Sequence, residues 1–145
     1  MDTSQHYIYG REGHWLLREI EKINNTKIFI IGPFFTEIEE KFILKVKEEL
    51  ERKGHEAKTP LDIGYAKDGL EKFFNDDLRN IEQSDIVVAI LDGHDPGTMC
   101  EIGYAKSAGK KIIGLWTDKE RRLDPFVKWL CTKIVRSVDE LEGVC

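Results

Sequence analysis

Two hydrophobic rhythms alternate along this chain. Compact apolar runs occur at Lys27-Ile28-Phe29-Ile30-Ile31-Gly32, Ile86 to Leu91 and Lys111 to Trp116. Between them, apolar residues recur every three or four positions. The first rhythm suits strands buried on both faces, and the second suits helices with one apolar stripe. The pattern predicts a strand at 27–32, stopped by Gly32-Pro33, then a helix over 36–53. That helix would bury Ile38, Phe42, Val46 and Leu50, with Gly54 just past its end. His55 to Leu61 suits a second strand broken by Pro60, and 62–69 suits a loop with Gly64 and Gly69. A helix over 70–83, a strand at 86–91, a loop at 92–97 and a helix over 98–108 capped by Gly109 follow. A strand at 111–116, a short helix from Asp124-Pro125 to Cys131 and a strand at 133–136 complete the order. Ser137-Val138-Asp139-Glu140 then reads as a capping box. Residues 13–24 read as an amphipathic helix with Trp15, Leu16, Ile20 and Ile23 on one side.

Strands alternating with helices imply an α/β fold, a doubly wound parallel sheet of about five strands with helices on both faces. No repeat, linker or low-complexity segment interrupts the 145 residues, so one domain is expected. Net charge is −5 with both signs mixed, and no basic block marks a nucleic-acid surface. No apolar run approaches membrane-spanning length and the N-terminus has no signal-peptide character, so a cytoplasmic location is expected. Cys100, Cys131 and Cys145 show no metal-ligand spacing and no disulfide framework; no metal is expected.

The chemistry concentrates in Asp92-Gly93-His94-Asp95-Pro96-Gly97-Thr98-Met99-Cys100-Glu101. This stretch leaves a buried strand and opens a helix, at the sheet edge where α/β proteins bind ligands. Thr98-x-x-Glu101 is a capping box, so Glu101 has a structural role open to it. A helix N-terminus also favours negative charge, so Glu101 is expected to be ionised and able to act as a nucleophile. Asp77 falls on or beside the apolar stripe of its helix, set by Leu70, Phe73, Phe74, Leu78 and Ile81. A carboxylate there must be paired, bonded or protonated, and a raised pKa would make it a general acid. One of Asp92 and Asp95 is expected to face a ligand; the alternative for each is turn formation or capping. Gly97-Thr98 offers helix amides that suit a phosphate, without a Walker or dinucleotide-binding pattern. His94 has acid-base chemistry, against the commoner role of a surface residue. Phe34 and Phe35 after the first strand could stack on a flat base or fill core. Trp116, Phe126 and Trp129 read as core or interface.

Together, Lys27 to Phe35, Asn75-Asp76-Asp77-Leu78-x-x-Ile81 and Asp95-x-Gly97-x-x-x-Glu101-Ile102-Gly103-Tyr104-Ala105 resemble the nucleoside 2-deoxyribosyltransferase family, in order and spacing, over residues 27–141. Residues 1–25 would then be an N-terminal extension. The resemblance implies a flavodoxin-like fold and transfer of deoxyribose from a 2′-deoxynucleoside to another nucleobase through a covalent glycosyl-enzyme, without a cofactor. It implies that Glu101 is the nucleophile, that Asp77 and Asp95 contact the base and assist proton transfer, and that Phe34 flanks the base. Gly32, Asp92, Gly97, Thr98 and Asp124 complete the expected substrate-binding set. It also implies homo-oligomers whose sites a neighbouring subunit completes. Two positions depart from the family. Phe29 replaces a tyrosine that bonds the nucleophile, and Asp124 aligns with an asparagine near the sugar hydroxyls. Two other activities fit the same residues: hydrolysis of nucleoside 5′-monophosphates, and nucleoside or nucleotide binding without turnover.

Overall fold

The computed structural model describes residues 26–65 and 67–143; the helix expected at 13–24 lies outside them. Five strands form one parallel sheet: β1 (Lys27–Ile31), β2 (Glu56–Lys58), β3 (Ile86–Ile90), β4 (Lys111–Leu115) and β5 (Lys133–Val135). Their spatial order is β2-β1-β3-β4-β5. This is the flavodoxin-like order, in which β1 and β3 flank the point where the winding reverses. Register pairs Ile28 with Ile86 and Ile31 with Ala89, so the two strands end level at that point.

One face of the sheet is covered by α1 (Glu37–Arg52) and by a 3₁₀ turn at Asp139–Gly143. Here Ile43, Val46 and Leu50 meet Ile28, Ile30, Val88 and Ile113. The other face carries α3 (Leu70–Gln83), α4 (Pro96–Ser107) and α5 (Pro125–Leu130). There Ile81, Ile102 and Val127 pack on Phe29, Val87, Ala89 and Trp116. Every side chain of β3 is buried, as a central parallel strand requires. Each such aliphatic side chain contributes about 1.5–3 kcal/mol.

Three expectations are corrected. The α1 stripe is Ile43, Val46 and Leu50, whereas Ile38 is 82% exposed. Ile38 stands in the first turn, ahead of the part of α1 that crosses the sheet. The second strand stops at Lys58, because Thr59 and Asp62 form a capping box and Pro60 opens the one-turn helix α2 (Pro60–Ile63). In α3 the buried residues are Phe73, Asp77 and Ile81, while Leu70 and Phe74 are exposed. Gly54 and Gly109 take the left-handed backbone conformation expected after α1 and α4.

Candidate active site

The site is built where β1 and β3 end and α3 and α4 pass over them. Residues 73, 77 and 81 are spaced by four and form the buried line of α3. Asp77 is therefore forced inward between Phe73 and Ile81, at 7% exposure. Glu101 precedes the buried Ile102 on α4 and is half-buried. The two carboxyl groups lie within reach of one another, so that a proton held by one can bond the other. Asp77 Oδ1 and Glu101 Oε2 are both buried, and no N–H or O–H donor among the described residues reaches them.

This environment overturns the expectation that Glu101 is ionised. Burial, the hydrogen bond to Asp77 and the charges of Asp77 and Asp95 push its pKa up to about 10. Burial also raises Asp77, while its hydrogen bond from Glu101 pulls the other way. Two buried carboxyls in contact cannot both ionise, so the pair holds one proton at neutral pH. The helix end gives little relief. α4 begins at Pro96, and Glu101 is its sixth residue, beyond the first turn where the dipole acts.

The cap of α4 is also not the one expected. Asp95 is the N-cap, and its Oδ2 accepts bonds from the Thr98 N–H and Oγ1, each at 2.9 Å. Thr98 is buried at the third helical position, and its hydroxyl is committed to Asp95. Pro96 lacks an N–H, and the Met99 N–H goes to the Asp95 carbonyl. Of these first amides, only that of Gly97 is left for a ligand. Asp92 accepts bonds from the Thr117 N–H at 2.8 Å and from the Thr117 hydroxyl, tying the end of β3 to the end of β4. Asp92 thus fills the turn-forming role, while Asp95 combines capping with a position close enough to bear on Glu101.

Gly32 is required by packing, since a Cβ there would lie 2.8 Å from Ile90 Cβ. Phe34 is half-buried, stacks on Phe35 at 4.7 Å between centroids and approaches Phe73 at 6.3 Å. Phe73 is one turn ahead of Asp77, so an aromatic wall adjoins the carboxyl pair. Tyr65 belongs to that wall, edge-on to Phe34 at 5.5 Å and to Phe73 at 5.0 Å. Sequence reasoning missed Tyr65; the signal was an aromatic residue following Gly64 in an otherwise polar loop. Phe29 is buried among apolar side chains. Asp124 is exposed and caps α5 through the N–H groups of Phe126 and Val127. Its own N–H donates to His94 Nε2 at 3.2 Å, while the His94 ring lies 4.9 Å from that of Trp116. His94 thereby joins the Asp95 loop to α5. Among the described residues no cluster of side chains suits a metal ion, and no helix is long and apolar enough to cross a membrane.

A family model described as nucleoside 2-deoxyribosyltransferase matches residues 28–135, which include the carboxyl pair and its sheet edge. The chain belongs to the nucleoside 2-deoxyribosyltransferase family. It is similar in structure to a 2-deoxyribosyltransferase from Bacillus psychrosaccharolyticus, with TM-score 0.74 and 23% identity over 83% of this chain and 93% of the other. A conserved protein from Enterococcus faecalis V583 gives TM-score 0.74 and 22% identity over 81% and 95%. A CMP N-glycosidase from Clostridium botulinum gives TM-score 0.57 and 25% identity over 81% and 96%. No curated protein matches the chain. Family and neighbours support a function of the deoxyribosyltransferase or N-glycosidase type.

Proposed function

We propose that this protein cleaves the N-glycosidic bond of 2′-deoxynucleosides and passes the deoxyribosyl group to a second nucleobase. The observation that carries the reading is the buried contact between the Asp77 and Glu101 carboxyl groups, each with an oxygen that no donor among the described residues reaches. A bound base that accepts the proton through Asp77 leaves Glu101 as the anion. Glu101 then attacks C1′, the C1′–N bond breaks toward the base, and the base leaves neutral with the proton from Asp77. The new ester neutralises Glu101, and Asp77 holds the charge. The site therefore carries one negative charge before and after the step, which a buried site tolerates far better than two. Attack by the second base reverses the sequence and retains configuration. Asp95 contacts the base, and Phe34 with its aromatic neighbours stacks against it. Asp92, Gly97, Thr98 and Asp124 support the site, the first and last two through the loop and helix caps they form. Homo-oligomers fit this reading, since Phe126 and Trp129 stand 64% and 66% exposed on α5.

The reading favours nucleosides over 5′-monophosphates. The loop Gly32-Pro33-Phe34-Phe35-Thr36 contains no arginine, and most of the first α4 amides are already engaged. The test mixes the protein with a deoxynucleoside and measures its intact mass, then adds free adenine and follows exchange. An added deoxyribosyl mass, lost together with exchange in Glu101→Gln, is expected. Undiminished exchange in that variant refutes the assignment, and release of base from the monophosphate alone identifies the hydrolase instead.

A further inference from the structure

A second groove, of about 750 Å³, opens beside the edge strand β5, and neither member of the carboxyl pair lines it. Its rim carries Arg121, Arg122, Lys128, Lys133 and Arg136, and no carboxylate lines it. Five of the 22 cations of a chain with net charge −5 thus converge on one cavity. Among the described residues, Arg121, Arg122, Lys128 and Lys133 have no carboxylate within ion-pairing distance, and the ion pairs all use cations between Lys41 and Arg79. Arg136 is anchored by a bond to the Asp118 carbonyl at 2.9 Å. Three carboxylates stand nearby: Asp118 accepts from the N–H groups of Glu120 and Arg121 and feels the charges of Arg121 and Arg136, Asp124 caps α5, and Glu140 accepts from the Arg136 N–H. Unpaired cations held around one concavity repel each other, and a multivalent anion relieves that repulsion. Leu123, Pro125 and Ile134 add an apolar wall.

We propose that this groove binds a polyphosphate chain, free or as part of a nucleoside triphosphate, with the phosphates on the arginines and lysines. Guanidinium groups grip phosphate oxygens in pairs, and lysines add point charge. The volume falls within the range of small-molecule sites, roughly 300–1,000 Å³. The groove is also connected to the rest of the site edge. Arg122, Leu123 and Pro125 form the wall it shares with a neighbouring groove lined by His94, Met99 and Asp124. A ligand there would press on the segment whose Asp124 N–H holds His94. The proposal does not depend on the glycosyl-transfer reading, because its primary readout is binding.

The experiment titrates the full chain calorimetrically with sodium tripolyphosphate, ATP and adenosine, at constant ionic strength and with saturating deoxynucleoside present. Saturable binding of tripolyphosphate and of ATP, mutually competitive, is expected, with none from adenosine. Tighter binding of ATP than of tripolyphosphate would assign the apolar wall to the nucleoside body; equal binding would assign the site to the phosphate chain alone. Lys128→Gln combined with Lys133→Gln should weaken both by roughly tenfold or more, with a melting temperature no lower than that of the parent, since repulsion eases, and with any base exchange without polyphosphate unchanged. Arg121→Gln with Arg122→Gln is the second variant and should do the same. Absent saturation, displacement by sulfate at matched ionic strength, or unchanged affinity in both variants would overturn the proposal. So would binding confined to oligonucleotides, or a change of oligomeric state in the lysine variant, which would give the groove to a second copy.

Discussion

Asp77→Asn tests the shared proton directly. The substitution keeps a polar side chain of the same shape on the buried line of α3 but removes both its charge and its transferable proton. Burial and the contact with Asp77 push Glu101 far above the ordinary carboxylate range, so at pH 7 the pair still carries one proton. Moving the proton to Asp77 and on to the base is what frees the nucleophile. In the variant, Glu101 loses its repulsion from Asp77 and its pKa falls, yet burial, the largest cause, still holds it above the ordinary range. The nucleophile improves while the base must leave unprotonated. General-acid assistance is worth about 10²–10⁴ in rate, or roughly 3–5 kcal/mol of barrier. Base release from 2′-deoxyadenosine should fall by about that factor. A 7-methylated purine deoxynucleoside already carries the positive charge that protonation would supply, so its loss should stay within about tenfold. The assay is the absorbance change on base release with both substrates. An equal fall on both would refute proton donation by Asp77 and reduce it to a packing or binding residue.

Glu101→Gln should stabilise the fold, increasingly so at higher pH. The folded state holds a proton on Glu101 from its ordinary 4.5 up to about 10, so wild-type stability declines as pH rises through that window. The variant lacks this decline and should gain on the order of 1–3 kcal/mol at pH 7 and little below pH 4, read from melting curves; a pH-independent difference would contradict the burial argument. Gly32→Ala should cost about 1–3 kcal/mol, because the added Cβ meets Ile90 Cβ at 2.8 Å where β1 and β3 end; urea unfolding measures it, and an unchanged midpoint would count against close packing there. Asp92→Ala should lower stability by about 1–3 kcal/mol through loss of the Thr117 bonds, with partial recovery in Asp92→Asn, whose amide oxygen still accepts; equal losses in the two would deny the hydrogen bonds their role.

Much of the fold was legible because local rules and tertiary demands agree. The short, β-branched apolar run Ile86–Ile90 suits a strand covered on both faces and forms one, and Thr36 with Glu39 opens α1 as a full capping box. Gly54 and Gly109 end helices where their backbone freedom is needed. The second strand is shorter than the span His55 to Leu61 suggests, because Thr59-Pro60-x-Asp62 is a helix-start signal that ends it at Lys58. At the site, two cap readings competed at Asp95 and Thr98. Asp95 prevails because Pro96 cannot donate an N–H and suits the first helical position.

The sequence by itself determined which carboxyls are candidates, since helical spacing alone turns Asp77 into the apolar line of α3 and the family pattern singles out Glu101. It also determined the order of strands and helices and the presence of aromatics after β1. Only the tertiary structure decided the charge of Glu101. A sequence shows the helix that carries a residue, not the desolvation or the second carboxyl that meets it across the packing of α3 on α4. Protonation depends on contacts between residues 24 positions apart in the chain, and those distances are set when the helices dock on the sheet. The basic groove beside β5 divides differently. Its cations already lie together in the sequence between Arg121 and Arg136, with Asp124 the one carboxylate among them, and the tertiary structure decides only that they face one cavity.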